Sequence, residues 1–161
     1  MSNPVSGEWF ESEARKDRMT RRSWRAVTAF RYLVVESDKA DMWQWLAAVA
    51  QQPLRITAIY TSGARSIHLL VRMDATSKED WDAGAAGMKP HLIPLGADRK
   101  VFSAVRLTRL PYCFRDGTID EVEHDGKKTH VYRRFPEPRL QDLLYLNPQP
   151  DGTPICEQGV L

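Results

Sequence analysis

Two hydrophobic periods alternate along this chain, and each marks a different kind of element. Residues 29–36 and 66–74 are apolar, β-prone runs that read as strands. Side chains on a strand point to opposite faces with a period of two. Ile67, Leu69, Val71 and Met73 therefore turn one way and Ser66, His68 and Arg72 the other, while Glu36 and Asp38 share a face. Between these runs Met42, Trp45, Leu46 and Val49 recur at i, i+3, i+4 and i+7, which predicts an amphipathic helix over 41–52 that Pro53 stops. Residues 54–61 predict a further strand, joined to the one at 66–74 by the turn Ser62-Gly63-Ala64-Arg65. Ser77, followed by Lys78, Glu79 and Asp80, predicts an N-cap. The helix it opens is expected to fade between Gly84 and Gly87, and Pro90 and Pro94 break what remains. A last strand is predicted over 103–110, ending at Pro111.

The predicted order is strand, helix, strand, strand, helix, strand. That is the α+β, ferredoxin-like (RRM-like) βαββαβ arrangement, with both helices on one sheet face and the other face left open. Ahead of it, residues 1–28 read as a basic, partly helical extension with Trp9, Phe10 and Trp24 as docking points. Beyond it, 118–123 and 129–135 flank His124-Asp125-Gly126-Lys127, a strong hairpin signal. The apolar stretch 140–146 precedes a segment, 149–161, expected to be flexible.

The chain has 161 residues, enough for a single domain that buries roughly 70% of its unfolded surface. Its 42% hydrophobic and 27% charged content is that of a globular protein, and no apolar run nears the ~20 residues of a membrane span. No export signal opens the sequence, so a cytoplasmic location and no membrane partner are expected. Cys113 and Cys156 lack paired spacing, which excludes a zinc ribbon, and His91, His124 and His130 show no ligand-like spacing with them. A net charge of +2 is too small to imply a nucleic-acid partner. Its distribution is more telling: Arg15, Lys16, Arg18, Arg21, Arg22 and Arg25 crowd one stretch, and Lys127, Lys128, Arg133, Arg134 and Arg139 another. Such clusters either track a phosphate backbone or are solvated faces.

The open face carries the chemistry. Two carboxylates two residues apart repel each other unless a cation or proton lies between them, so Glu36 and Asp38 suit Mg²⁺ or Mn²⁺; an ordinary helix-capping exit is the alternative. Ser66 and His68 can both donate to a phosphate oxygen. A serine-hydrolase reading of the same pair fails, because Ser66 sits at a hairpin start with no nucleophile elbow or oxyanion-forming helix N-terminus. Asp98 follows, then Val101, Phe102, Arg106, Arg109 and Leu110.

Taken in order, Glu36-x-Asp38, Ser66-x-His68 and Asp98 with Arg106 and Arg109 resemble the three motifs of the archaeo-eukaryotic primase superfamily, especially its primase-polymerase branch. The resemblance spans residues 30–111, and 143–148 (Leu-Leu-Tyr-Leu-Asn-Pro) is similar to the tail of small primase-like domains of plasmids and phages. It implies a catalytic core at 29–111 with hairpin and tail elements at 112–148. Metal ligation would fall to Glu36, Asp38 and Asp98, and triphosphate binding to Ser66 and His68 with help from Arg106 and Arg109. A basic residue that the family often has two positions before the motif-two serine is Ala64 here, with Arg65 the substitute, and the acidic pair is Glu-x-Asp where Asp-x-Asp or Asp-x-Glu is common.

The implied activity is template-directed nucleotidyl transfer from an NTP or dNTP on a single-stranded DNA template. The implied context is a mobile-element replication module acting with a helicase or within a longer protein. Two alternatives stand beside it. One is a degenerate member that binds single-stranded DNA or an origin without chemistry. The other is an RNA-binding module, against which the strand at 66–74 argues, because it lacks stacking aromatics.

Overall fold

The computed structural model describes residues 2–124 and 126–159, and its architecture is mixed α+β. Its centre is a four-stranded antiparallel sheet of β3 (Phe30–Glu36), β4 (Ile56–Thr61), β5 (Ile67–Ala75) and β8 (Leu143–Leu146), in the spatial order β3-β5-β4-β8. Helices α1 (Met42–Ala50) and α2 (Lys78–Leu92) connect β3 to β4 and follow β5. A two-residue ribbon, β1 (Phe10–Glu11) with β2 (Met19–Thr20), precedes the sheet, and the hairpin β6 (Phe114–His124) with β7 (Lys127–Leu140) stands apart from it. No helix among the described residues is long and apolar enough to cross a membrane.

The period-two reading of the strands explains where the core lies. Leu33 and Val35 of β3, Ile56 and Ile59 of β4, and Ile67, Leu69 and Val71 of β5 pack with Trp45, Leu46 and Val49 of α1 and with Trp81, Ala85 and Leu92 of α2. Burial of this apolar surface, at roughly 25 cal/mol per Å², is the main force that seats the helices on the sheet. The helix starts are chemically marked as expected. Asp41 accepts N–H bonds from Trp43 and Gln44, and Ser77 accepts one from Asp80. Trp45 is buried and Trp43 exposed, as their places on the helical period require.

Four expectations are corrected. Helix α2 does not fade at its glycines but runs on to Leu92 with Pro90 inside it. Apolar packing of Trp81, Ala85 and Leu92 outweighs the intrinsic cost of glycine in this helix. Residues 2–28 hold no α-helix, only the β1–β2 ribbon and a 3₁₀ turn over Trp24–Ala26, and Trp9 is exposed beneath the Arg21 guanidinium. The tail folds back onto the body: β8 pairs with β4, Ile155 is buried, Tyr145 donates to Gln158 at 2.9 Å, and Arg72 donates to the Pro148 carbonyl at 2.8 Å. The β6–β7 hairpin forms and is longer than expected; Asp125, in its predicted turn, lies outside the described residues.

The fourth correction concerns the strand predicted over 103–110. The first three strands, β3, β4 and β5, adopt the order β3-β5-β4 that the predicted βαββαβ arrangement requires, but residues 103–110 form a strap without strand pairing. A turn at Ala104 and Val105, closed by Arg106 N–H to Ser103 O at 3.1 Å, breaks the extended run. Asn3, only 2% exposed, takes the place that pairing would have filled. Its amide donates to the carbonyls of Tyr32 and Ala104, both at 2.9 Å, and accepts from the N–H groups of Arg31 and Tyr32, both at 2.8 Å. One side chain thus uses all four of its hydrogen-bonding positions to tie the sheet edge to the start of the strap.

Asn3→Ala removes all four bonds and leaves buried backbone groups unpaired, so it should destabilise the fold by about 2–4 kcal/mol. Urea denaturation measures this directly. A loss below about 0.5 kcal/mol would show that the edge is held by other contacts.

Candidate functional site

The strap crosses the open face of the sheet, and three sheet side chains hold it there. Glu36 at the end of β3 and His68 on β5 are cross-strand partners, and Tyr60 of β4 pairs with His68 on its other side. Register therefore sets Glu36, His68 and Tyr60 in one row across three strands. His68 Nε2 lies 2.9 Å from Glu36 Oε2, and Arg106 of the strap bonds the other oxygen, Glu36 Oε1. Thr108, two residues on, places its hydroxyl 2.5 Å from Tyr60 OH and 3.3 Å from His68 Nδ1. The Tyr60 and His68 rings stack with centroids 5.5 Å apart.

These contacts select protonation states. Burial alone raises the pKa of Glu36, but the hydrogen bonds and positive charges of His68 and Arg106 outweigh it and bring it down to about 2. Glu36 is therefore a carboxylate and accepts from His68 Nε2–H. Thr108 Oγ1 lies within hydrogen-bond reach of both Tyr60 OH and His68 Nδ1, so the row runs on from the imidazole to the phenol. Burial and the nearby Glu36 charge push the Tyr60 hydroxyl up to about 12, against the Thr108 bond, so it stays protonated and available as a donor.

Around this row opens a cleft of about 810 Å³, between the sheet face, the strap and the base of the β6–β7 hairpin. Of the residues predicted for the site, Glu36, Asp38, Arg65, Ser66, His68, Arg106 and Arg109 all line it. Arg106 and Thr108 share the sheet-facing side of the strap, as alternation requires, and Arg109 reaches the cleft where the strap leaves the sheet. Asp98 does not line it. Its amide donates to the Glu36 carbonyl at 2.9 Å, which keeps its backbone alongside β3, but its carboxylate caps a 3₁₀ turn by accepting from Lys100 N–H at 3.0 Å. Arg72 is also elsewhere, bonded to Asp74 at 2.6 Å and to the tail.

The expected divalent-ion site was tested against this geometry. Both oxygens of Glu36 are engaged, one by imidazole and one by guanidinium, so the Arg106 charge already does what a metal ion would do there. Among the described residues no group of three His, Cys, Asp or Glu side chains is close enough to hold a metal ion. As arranged, with Glu36 closed by its two partners and Asp98 turned to its own cap, the three carboxylates do not meet at one point.

Sequence reasoning missed several residues of the hydrogen-bonded row and of the cleft around it. Tyr60 and Thr108 looked like ordinary strand residues, and only the register between β4 and β5 and the path of the strap reveal them. Arg115 and Phe135 belong to the hairpin, whose reach back to the sheet has no local signal, and Arg139 stood out only as a member of a basic cluster. Arg115 makes the junction: its guanidinium donates to the carbonyls of Gly117 at 2.6 Å and Ser62 at 3.3 Å and to the Thr118 hydroxyl at 2.8 Å.

Comparisons of the chain with protein-family models, with curated proteins and with solved structures find no match.

The lowered Glu36 pKa has a stability signature. A carboxyl that titrates near 2 in the folded state and near 4.5 when unfolded contributes stability above pH 4.5, and loses it as pH falls toward about 2. Glu36→Gln lacks this ionisation, so the stability difference between wild type and variant should shrink across that window. Denaturant titrations at pH 5.5, 4 and 3 measure it. Parallel stability curves for the two proteins would contradict the ion-paired assignment.

Proposed function

We propose that this chain is a primase-polymerase-type domain that binds a nucleoside triphosphate in the arginine-lined cleft and transfers its nucleotidyl group to a 3′-hydroxyl on a single-stranded DNA template. The observation that carries the reading is the meeting of three sequence-distant elements. Glu36 of the first motif, His68 of the second and Arg106 of the third form one hydrogen-bonded row, with Asp38, Ser66 and Arg109 on the same cleft. The strand order β3-β5-β4 supports the ferredoxin-like core that such a domain would have, although residues 103–110 cross the face as a strap and do not form its fourth strand.

The chain's own groups suit a triphosphate. Guanidinium forks match phosphate oxygens bidentately, and Arg65, Arg106 and Arg109 bring three of them. Arg106 Nε is buried without an acceptor among the described residues, so its fork is only partly used by Glu36. Tyr60 stacks on the His68 ring and Thr108 meets its Nδ1, which fixes the ring where it lines the cleft.

One observation favours a second reading. Glu36 is closed by His68 and Arg106, and its neighbours do not assemble a metal site, as expected of a degenerate relative that binds single-stranded DNA without chemistry. Primer extension and primer synthesis on single-stranded templates, with Mg²⁺ and Mn²⁺ compared, separate the two. Incorporation is the expected result, and its absence with both ions, alongside intact template binding, would establish the second reading.

His68→Ala and Arg106→Ala should each weaken nucleoside triphosphate binding by about tenfold or more, with Arg106→Lys intermediate because it keeps charge but loses the fork. Calorimetric titration gives the affinities, and circular dichroism checks the fold. Wild-type affinity in all three variants would refute the role of the row in nucleotide binding.

A further inference from the structure

The cleft holds more arginine than a nucleotide needs. Seven arginines line it: Arg65, Arg106, Arg109, Arg115, Arg133, Arg134 and Arg139. Three are committed within the chain, Arg106 to Glu36, Arg133 to Asp120 at 2.7 Å, and Arg115 to the hairpin junction. Among the described residues Arg65, Arg109, Arg134 and Arg139 have no carboxylate partner. They come from the β4–β5 turn, the strap and β7, so the fold itself brings like charges together.

That convergence is unfavourable without an anion. Arg115 feels it: burial, then the charges of Arg109, Arg139 and Arg65, hold its pKa below the ordinary guanidinium value despite nearby Tyr132. Arg139 is also ordered, its guanidinium lying 4.4 Å from the centre of the Phe135 ring, which Arg115 approaches at 5.6 Å. Cation–π contact with Phe135 sets the Arg139 fork before any ligand arrives. The β6–β7 register breaks at this point: Arg115 opposes Arg139 but Gly117 opposes Arg134, so residues 135–138 bulge from the ladder. Gly117 is required there, because a Cβ would fall 2.5 Å from the Tyr132 ring and 2.6 Å from the Arg133 carbonyl.

We propose that Arg134 and Arg139, with Phe135 between them, form a second phosphate-binding site at the base of the hairpin that takes the phosphodiester backbone of a single nucleic-acid strand entering the cleft. The site lines the same cleft as the Glu36–His68 row, so a strand held there has its backbone beside the proposed nucleotide site. A row of ordered cations tracking one backbone is the usual means of sequence-independent single-strand binding. This inference rests on the reading of the cleft as nucleic-acid-directed but is tested apart from nucleotide incorporation.

The test is fluorescence anisotropy with a labelled oligothymidylate of about 12 nucleotides, a length within the usual site size. It compares the full chain with Arg134→Gln, Arg139→Gln, the double variant and Arg139→Lys. Neither side chain donates a hydrogen bond among the described residues, so the variants should keep the wild-type circular dichroism spectrum. The double variant should bind at least about tenfold more weakly, with the slope of log affinity against log salt reduced by roughly 0.7 per arginine removed. Arg139→Lys should keep the slope and lose part of the affinity. Inorganic tripolyphosphate and a duplex of the same length are titrated in parallel. Oligonucleotide affinity and slope unchanged in the double variant would overturn the proposal, as would an equal loss of tripolyphosphate binding or tighter, equally sensitive duplex binding. Arginine-dependent oligonucleotide binding in a chain that incorporates no nucleotide would uphold this site while refuting the transferase reading.

Discussion

A buried carboxylate held between an imidazole and a guanidinium is the constraint on which the rest of the structure depends. Glu36 is 5% exposed, and an unpaired charge at that depth would cost several kcal/mol. Its two partners come from β5 and from the strap, so satisfying one charge fixes the end of a central strand, the orientation of His68 and the path of residues 103–110. Thr108 and Tyr60 extend the same row by neutral hydrogen bonds. At the other end of the strap Asn3 anchors Ala104 to β3. The strap is thus held by side chains at both ends, which lets it cross the face where a strand would have run along the edge.

This arrangement explains why the cleft exists. A fourth strand paired to β3 would have left the open face flat. The strap and the β6–β7 hairpin instead form two walls, and Arg115 ties the hairpin to the sheet through its bond to the Ser62 carbonyl. Between them Glu36, already paired, and Asp38 are outnumbered by the uncommitted arginines Arg65, Arg109, Arg134 and Arg139, so the cleft attracts a polyanionic ligand.

The elements whose signals are local were legible in the sequence. Strand β3 follows from its apolar, β-prone run, β5 from period-two alternation, α1 from its 3.6 period and Asp41 cap, and the sharing of one face by Ser66 and His68 from the pleat alone. What the sequence hid depends on long-range competition. Residues 103–110 have strand-like composition, yet Asn3, about 100 positions away in sequence, occupies the sheet edge, and Arg106 finds a buried partner only by crossing the face. Pro90 and the glycines of α2 read as breakers because their cost is local, whereas the packing that overrides it is tertiary. Asp98 looked like a third ligand from motif order, but its carboxylate is used by its own turn. Tyr60 and Thr108 carried no signal until register placed them beside His68.

The most direct test of the central claim is a double-mutant cycle between the sheet and the strap. Wild type, Glu36→Gln, Arg106→Gln and the double variant are compared by urea unfolding at neutral pH, where the coupling free energy isolates the pair. If the Glu36 charge organises the strap, each single change leaves the other partner uncompensated, and the two effects should fall short of additivity by about 1–3 kcal/mol. Losses that add within about 0.3–0.5 kcal/mol would mean that the strap is held without Glu36 and that the account of the cleft is wrong.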